Sequence, residues 1–340
     1  MTSIISSSSI IRHPSSELNG WINLDKPLGI SSAQAVAKVK HLLYKLPPEY
    51  RAGKKIAIGH AGTLDPLASG ILPLAVGEAT KTVSYMMDAA KSYSFTVTWG
   101  QERTTDDSAG EVVHESGNRP EINDINNILQ QFTGNISQIP PNYSAIKLAG
   151  KRAYDLARSG QEVDIKPREV IVKSLEIVTP DLLGGLGQQT SSDDLSLDPR
   201  SKAGMTHFLC HCGKGTYIRS LARDMGRVLG CYGYVSSLRR VQVGKFNENN
   251  AISLENLSDM VHKGMVDFLQ PVESALDDIL AWDIDSTLAV RLRHGQTVNL
   301  PNIDGGDGEG IFMLARYNGK PVAICKRNEG VMKPVRVFNI

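Results

Sequence analysis

Gly59-His60-Ala61-Gly62-Thr63-Leu64-Asp65-Pro66-Leu67-Ala68-Ser69-Gly70, continued by Ile71-Leu72-Pro73-Leu74-Ala75-Val76-Gly77-Glu78-Ala79-Thr80-Lys81, is the stretch on which the reading of this chain turns. It sets one carboxylate, Asp65, between glycines and a proline. Proline fixes its own φ and disfavours the helical region for the residue before it, so Pro66 pushes Asp65 toward extended backbone. Gly59, Gly62 and Gly70 remove side chains where a bulky partner has to come close. Such a carboxylate is presented, as a nucleophile would be. The plainer alternative, a capping aspartate in a Gly/Pro turn, yields only to further features.

Composition narrows the classes. A chain of 340 residues can hold two domains and a substantial core. With 41% hydrophobic and 21% charged residues it has the balance of a soluble globular protein, and no apolar run approaches a membrane span. Thirty-seven basic against 36 acidic residues leave a net charge of +1, so a nucleic-acid surface would have to be a local patch. Four cysteines (Cys210, Cys212, Cys231, Cys325) are too few and too irregular for a disulfide framework and fit a reducing cytoplasm. Cys210-His211-Cys212 invites a metal reading. A strand would put both cysteines on one face, however, and neither CxxC nor a paired-histidine spacing occurs.

Along the chain, residues 1–18 are serine-rich and read as a flexible tail. A low-complexity stretch at about 181–204 reads as an extended surface loop between two strands. Tyr93, Phe95, Val97 and Trp99 alternate with Ser and Thr, which predicts a half-buried strand. Ile122, Ile125, Leu129 and Phe132 follow helical spacing and stop at Gly134. After Gly215-Thr216, residues Ile218, Leu221, Ala222, Met225, Val228 and Leu229 predict one apolar helical face ending at Gly230, with Arg219, Arg223 and Arg227 as a basic ridge beside it. From about residue 279 the character changes. A helical run from Thr287 to His294 precedes strand-like pieces around Val298, Phe312, Val322 and Val337, and Asn318-Gly319 predicts a type I′ hairpin turn. This predicts a small β-rich domain over 279–340. Asp304 to Glu309 lacks the EF-hand calcium spacing and reads as a plain turn.

Over its 23 residues the opening run closely resembles the active-site motif of the TruB family, the tRNA pseudouridine-55 synthases. Further blocks resemble the same family from about Gly20 to Phe246. Leu24-Asp25-Lys26-Pro27 to Ser32 matches its first motif, where Lys26 helps shape the active-site wall and Ser31 or Ser32 caps a helix. Tyr93 matches a tyrosine that packs on the target base. Gly215-Thr216-Tyr217-Ile218-Arg219 matches the motif whose arginine pairs with the catalytic aspartate, a pairing suited to a carboxylate working in a partly dry pocket. Gly213-Lys214-Gly215-Thr216 is no phosphate loop, because Phe208 stands where that loop needs glycine. Leu238 matches a uracil-pocket leucine, and His60 the histidine that takes the place vacated by the target nucleotide. Family members often carry threonine or serine where this chain has Ala61. The block from Pro140 to Tyr154 supplies Lys147, Lys151 and Arg152 as candidates for RNA backbone contact, and the same substrate-binding role is expected of Tyr217 and Lys81.

The resemblance implies an α+β fold with a mixed, antiparallel-rich central sheet flanked by helices, a catalytic domain over 19–278, and a PUA-like RNA-binding domain over 279–340. It implies isomerisation of uridine to pseudouridine at position 55 in the tRNA T-loop, with base flipping and Asp65 as the essential carboxylate. No net redox change occurs, so neither cofactor nor metal is expected. The expected partner is the tRNA T-arm, with no membrane and no obligate protein partner, for a cytoplasmic monomer. A non-catalytic tRNA-folding protein and a guide-RNA-dependent synthase with protein partners are the alternatives. Whether Asp65 attacks the sugar or the base, or removes a ribose proton, stays open.

Overall fold

The computed structural model describes residues 17–51, 55–144, 146–148, 150–159, 161, 163–178, 204–299, 310–328 and 330–340. The segment 1–16, the loop 181–204 apart from Gly204, and the turn 304–309 lie outside these residues. Leu18, which the sequence reading puts in the tail, is buried, and its amide donates to the Tyr50 carbonyl, so the packed domain already includes it.

A ten-stranded sheet organises the larger domain. Across its main path run Ile252–Ser253, Gly20–Lys26, Ala68–Val76, Gly233–Val243, Lys91–Trp99, Met205–Cys212, Arg168–Ile177 and Gly134–Gln138. Most neighbours are antiparallel; Gly233–Val243 runs parallel to Ala68–Val76, and Ile252–Ser253 parallel to Gly20–Lys26. This is the mixed, antiparallel-rich sheet expected. The helices Ser32–Leu43, Ile122–Leu129, Ile218–Val228 and Leu254–His262 share one core with Leu72, Leu74, Phe95 and Phe208 from the sheet.

The alternation along Ala68–Val76 explains the second face. Leu72, Leu74 and Val76 join the helical core, while Ile71 and Ala75 point the other way into a cluster with Trp21, Val243 and Phe246. That cluster also takes Leu314, Ile324 and Phe338 from the C-terminal domain. The C-terminal domain is a five-stranded sheet in the order Leu280–Asp283, Phe312–Tyr317, Lys320–Asn328, Val331–Val337, Val298–Asn299, with the helix Ser286–Arg293 packed on it. Its hairpin turn is the one the sequence predicts: Asn318 and Gly319 both have positive φ, 51° and 71°.

Several local expectations need correction. Lys91–Trp99 is buried on both faces, not half-buried, because Ser92 and Thr96 hydrogen-bond the rings of His211 and His207 from the neighbouring strand. Val228 is exposed and leaves the apolar face of its helix, whereas Leu229 at the C-cap is partly buried and still packs on the core. The arginines of that helix form no solvated ridge: Arg219 and Arg223 are buried, and all three pair with acids. Cys210 and Cys212 enter the core while His211 faces the other side of the strand, so the three cannot converge on one ion.

Gly70 carries a φ of +101°, and a Cβ there would run into the Arg240 backbone carbonyl of the adjacent strand. Gly70→Ala is therefore expected to lower stability by about 1–3 kcal/mol. Urea unfolding of the two proteins checks this, and equal midpoints would contradict it.

Candidate active site

Asp65 lies in the short connection between the strand Ile58–His60 and the strand Ala68–Val76. Three attachments fix this connection. Ser32 Oγ donates to the Leu64 carbonyl (2.9 Å) and accepts from the Leu64 amide (2.8 Å). Gly29 N–H donates to the Pro66 carbonyl (2.9 Å). Arg240 donates to the carbonyls of Gly62, Thr63 and Ile71. Of the two serines that could cap the first helix, Ser31 does so, in a capping box with Gln34, which frees Ser32 for Leu64. The flanking glycines differ: Gly62 adopts a φ of +106° and Gly70 lets Arg240 approach, whereas Gly59 has ordinary backbone and faces open space.

Arg219, at the start of the helix Ile218–Val228, reaches Asp65: its Nη2 lies 2.9 Å from Asp65 Oδ2. Arg219 is 6% exposed at its side chain and Asp65 36% exposed, so the arginine is locked in while the carboxylate keeps a free face. The same guanidinium donates to the carbonyls of Thr105 (2.9 Å) and Tyr143 (3.0 Å) and stands 3.6 Å from Asp107. Its planar fork suits several fixed acceptors at once.

A cavity of about 540 Å³ opens over Asp65. Tyr93, Arg219, Leu238 and Tyr217 line it, as do Lys91, Arg240 and Ser144. Four of the sequence-selected residues therefore share one cavity with Asp65. Lys26 sits just behind it, fully buried, donating to the Pro27 and Ile30 carbonyls of the turn that meets Pro66. Burial pulls its ammonium down to about 8, against the opposing pull of Asp65. His60 is half-buried at the end of its strand; burial and then Arg240 lower its pKa, so the ring is neutral at pH 7, and its buried Nδ1 has no hydrogen-bond partner among the described residues. Ala61 beside it is fully buried in the apolar cluster, where a hydroxyl would need a partner.

One candidate lies elsewhere. Lys81 is not in the cavity wall: its ammonium donates to Glu78 (2.6 Å) and to the Val337 carbonyl of the C-terminal domain (2.8 Å). Lys147, Lys151 and Arg152 belong to a two-rung hairpin in which Lys147 pairs with Arg152 and Leu148 with Lys151. Among the described residues no cluster of three or more His, Cys, Asp or Glu side chains could hold a metal ion. Sequence reasoning overlooked Lys91 and Arg240. Burial lowers the Lys91 pKa to about 8, and its Nζ donates to the carbonyls of Met87 and Ala89. The signal for Arg240 was the pair Arg239-Arg240 within a strand. Adjacent strand residues face opposite sides, so two arginines there need two separate sets of partners. Arg239 finds Asp25 and Glu248, and Arg240 finds the carbonyls of Gly62 and Thr63.

The family model for the TruB family pseudouridylate synthase N-terminal domain matches residues 50–218, and that for the tRNA pseudouridylate synthase B C-terminal domain matches 219–277. A protein of Nitrobacter winogradskyi named tRNA pseudouridine synthase B is 44% identical over 97% of this chain and 85% of its own length. One of the same name from Anaplasma marginale is 40% identical over 94% and 97%. A solved H/ACA RNP bound to a substrate RNA containing 2′-deoxyuridine superposes with a TM-score of 0.66, covering 94% of this chain and 85% of that one at 23% identity, a likeness of fold. The chain belongs to the TruB family of pseudouridylate synthases, and is thus an isomerase. The second family match ends at 277, just before the strand Leu280–Asp283 begins the C-terminal sheet. Among the described residues no helix is long and apolar enough to cross a membrane.

Lys91 is 7% exposed, and its pH behaviour is testable. Its folded pKa of about 8 lies below the ordinary 10.5, so between these values the unfolded chain holds more protons than the folded one, and stability rises with pH. Wild type is therefore expected to gain stability relative to Lys91→Met from pH 8 to pH 10. Chemical unfolding of both proteins at the two values measures it, and a constant difference would refute it.

Proposed function

We propose that this chain isomerises uridine to pseudouridine at position 55 in the T-loop of tRNA, with Asp65 as the essential carboxylate. The observation that carries the reading is the Arg219–Asp65 ion pair at the floor of a cavity large enough for a nucleotide. The names of the 40–44% identical relatives support tRNA as the substrate. The reaction breaks the bond from uracil N1 to ribose C1′, turns the base and joins C5 to C1′; the proton on C5 is lost and N1 gains one, so atoms and charge balance without an oxidant.

The base reaches this cavity only by leaving its stack, at a cost of a few kcal/mol by the usual estimate for base flipping, about as much as pocket contacts can return. Tyr93 and Leu238 then supply apolar contact for the uracil. The neutral His60 ring fills the vacated place, since an uncharged imidazole stacks without the desolvation cost of a cation. Arg219 holds Asp65 oriented while the exposed oxygen face meets the nucleotide. Tyr217, Lys147, Lys151 and Arg152 take part in RNA contact, and the C-terminal β-domain acts as a PUA-like RNA-binding module. The enzyme works in the cytoplasm as a monomer without an obligate protein partner.

Purified protein incubated with an unmodified tRNA transcript, followed by pseudouridine mapping, tests the proposal. Conversion of the T-loop uridine by wild type is expected, with Asp65→Asn slower by on the order of 10⁴-fold or more and Arg219→Met by roughly 10²-fold. Tight binding without conversion by wild type would favour a tRNA-folding protein or a missing partner. Equal conversion by Asp65→Asn would remove Asp65 from its role.

A further inference from the structure

The apolar cluster on the second face of the large sheet belongs to both domains. Phe338, fully buried, enters it from the C-terminal domain together with Leu314 and Ile324. From the large domain come residues of the catalytic connection and of three strands beside it. Ala61 follows His60, Ile71 closes the far side of the catalytic connection, and Trp21 lies on the strand that ends at Lys26. Val243 lies on the strand that carries Leu238 and Arg240. The Ile71 carbonyl is also the acceptor for Arg240 Nε (2.7 Å), so the cluster is one bond away from the arginine that holds Gly62 and Thr63.

A polar clasp surrounds Phe338. Lys81 donates to the carbonyl of Val337, and Glu78 accepts both from Lys81 and from the Asn339 amide (2.8 Å). The residues on either side of Phe338 are thus tied to the Gly77–Thr82 turn, which follows directly on the strand leaving the catalytic connection. Interiors packed to this density do not deform freely, so emptying one position shifts the groups around it.

We propose that Phe338 is a positioning residue for the isomerisation: the docked C-terminal domain sets the placement of the connection that carries Asp65, in addition to any contact it makes with RNA. The part of this that concerns catalysis rests on the function proposed above. Lys81 acts in the same clasp. Removing the domain costs turnover of bound substrate as well as affinity, because its inner surface completes the core behind the site.

The test uses the full chain with Phe338→Ala, Phe338→Leu and Lys81→Met. Amide hydrogen exchange is read first, without RNA. Faster exchange at Ala61 and Leu64 in Phe338→Ala, largely restored in Phe338→Leu, is expected whether or not the RNA reading is correct; unchanged exchange there overturns the proposal. Single-turnover conversion at saturating tRNA transcript and the dissociation constant are then measured separately. The rate in Phe338→Ala is expected to fall about tenfold or more, as small misplacements of reacting groups do, with affinity nearly unchanged and with Phe338→Leu and Lys81→Met less affected. Weakened binding at an unchanged saturated rate overturns the proposal and leaves the domain a binding module only. Loss of all folding in Phe338→Ala shifts the decision to Lys81→Met, which removes the tie to the Val337 carbonyl and Glu78, and wild-type exchange and rate there would overturn it. Failure of the wild type to form pseudouridine strikes the function reading and leaves the exchange result standing.

Discussion

A buried guanidinium cannot be left without acceptors, and Arg219 is the guanidinium around which the site is built. Stripping one partner from a buried ion pair costs about 3–5 kcal/mol, several times the worth of an exposed pair. That asymmetry dictates the surroundings. Thr105 and Tyr143 each contribute a backbone carbonyl, and Asp107 adds a second carboxylate at 3.6 Å. Two loops distant in sequence are therefore committed to one side chain. Asp65 takes the remaining direction, and because its partner is immobile its own orientation is fixed from one side only.

The backbone around Asp65 is treated in the same economical way. Ser32 satisfies both the donor and the acceptor of Leu64, Gly29 takes the Pro66 carbonyl, and Arg240 collects three carbonyls. Irregular chain with buried polar groups demands such partners. Here they come from the first residue of a helix, a turn and a sheet strand, so the connection inherits the rigidity of the surrounding fold. The alternation of Ala68–Val76 then links that rigidity to two cores at once, helical on one side and shared with the C-terminal domain on the other.

Much of this was legible in the sequence, for reasons that differ by element. Periodicity gave the strand at 91–99 and the helix from Ile218, and local turn chemistry gave the Asn318-Gly319 hairpin, because each depends on neighbours in the chain. The resemblance selected Asp65, Tyr93, Tyr217, Arg219 and Leu238, which share the cavity wall. What stayed hidden depends on contacts across long sequence separation. Nothing local says that Lys81 meets Val337, 256 positions away, or that Arg240 reaches Gly62, 178 positions away. Nor does helical spacing reveal that Arg223 and Arg227 have acids waiting in the segment from Glu102 to Asp106.

Those last two arginines change how the charge of the chain should be weighed. Arg223 pairs with Asp106 and Asp224, Arg227 grips Glu102 through both carboxylate oxygens, and Arg219 is taken by Asp65. Burial holds Asp106 up at about 6, so this ladder includes a carboxyl whose own charge is sustained mainly by Arg223. A cation neutralised inside the fold displaces no counterions from a phosphate backbone. Arg219 and Arg223, buried in their pairs, thus add nothing to the ionic-strength sensitivity of polyanion binding, whereas Arg227 keeps about half of its side chain in solvent. That sensitivity is set by a smaller population of unpaired surface cations than 37 basic residues would suggest.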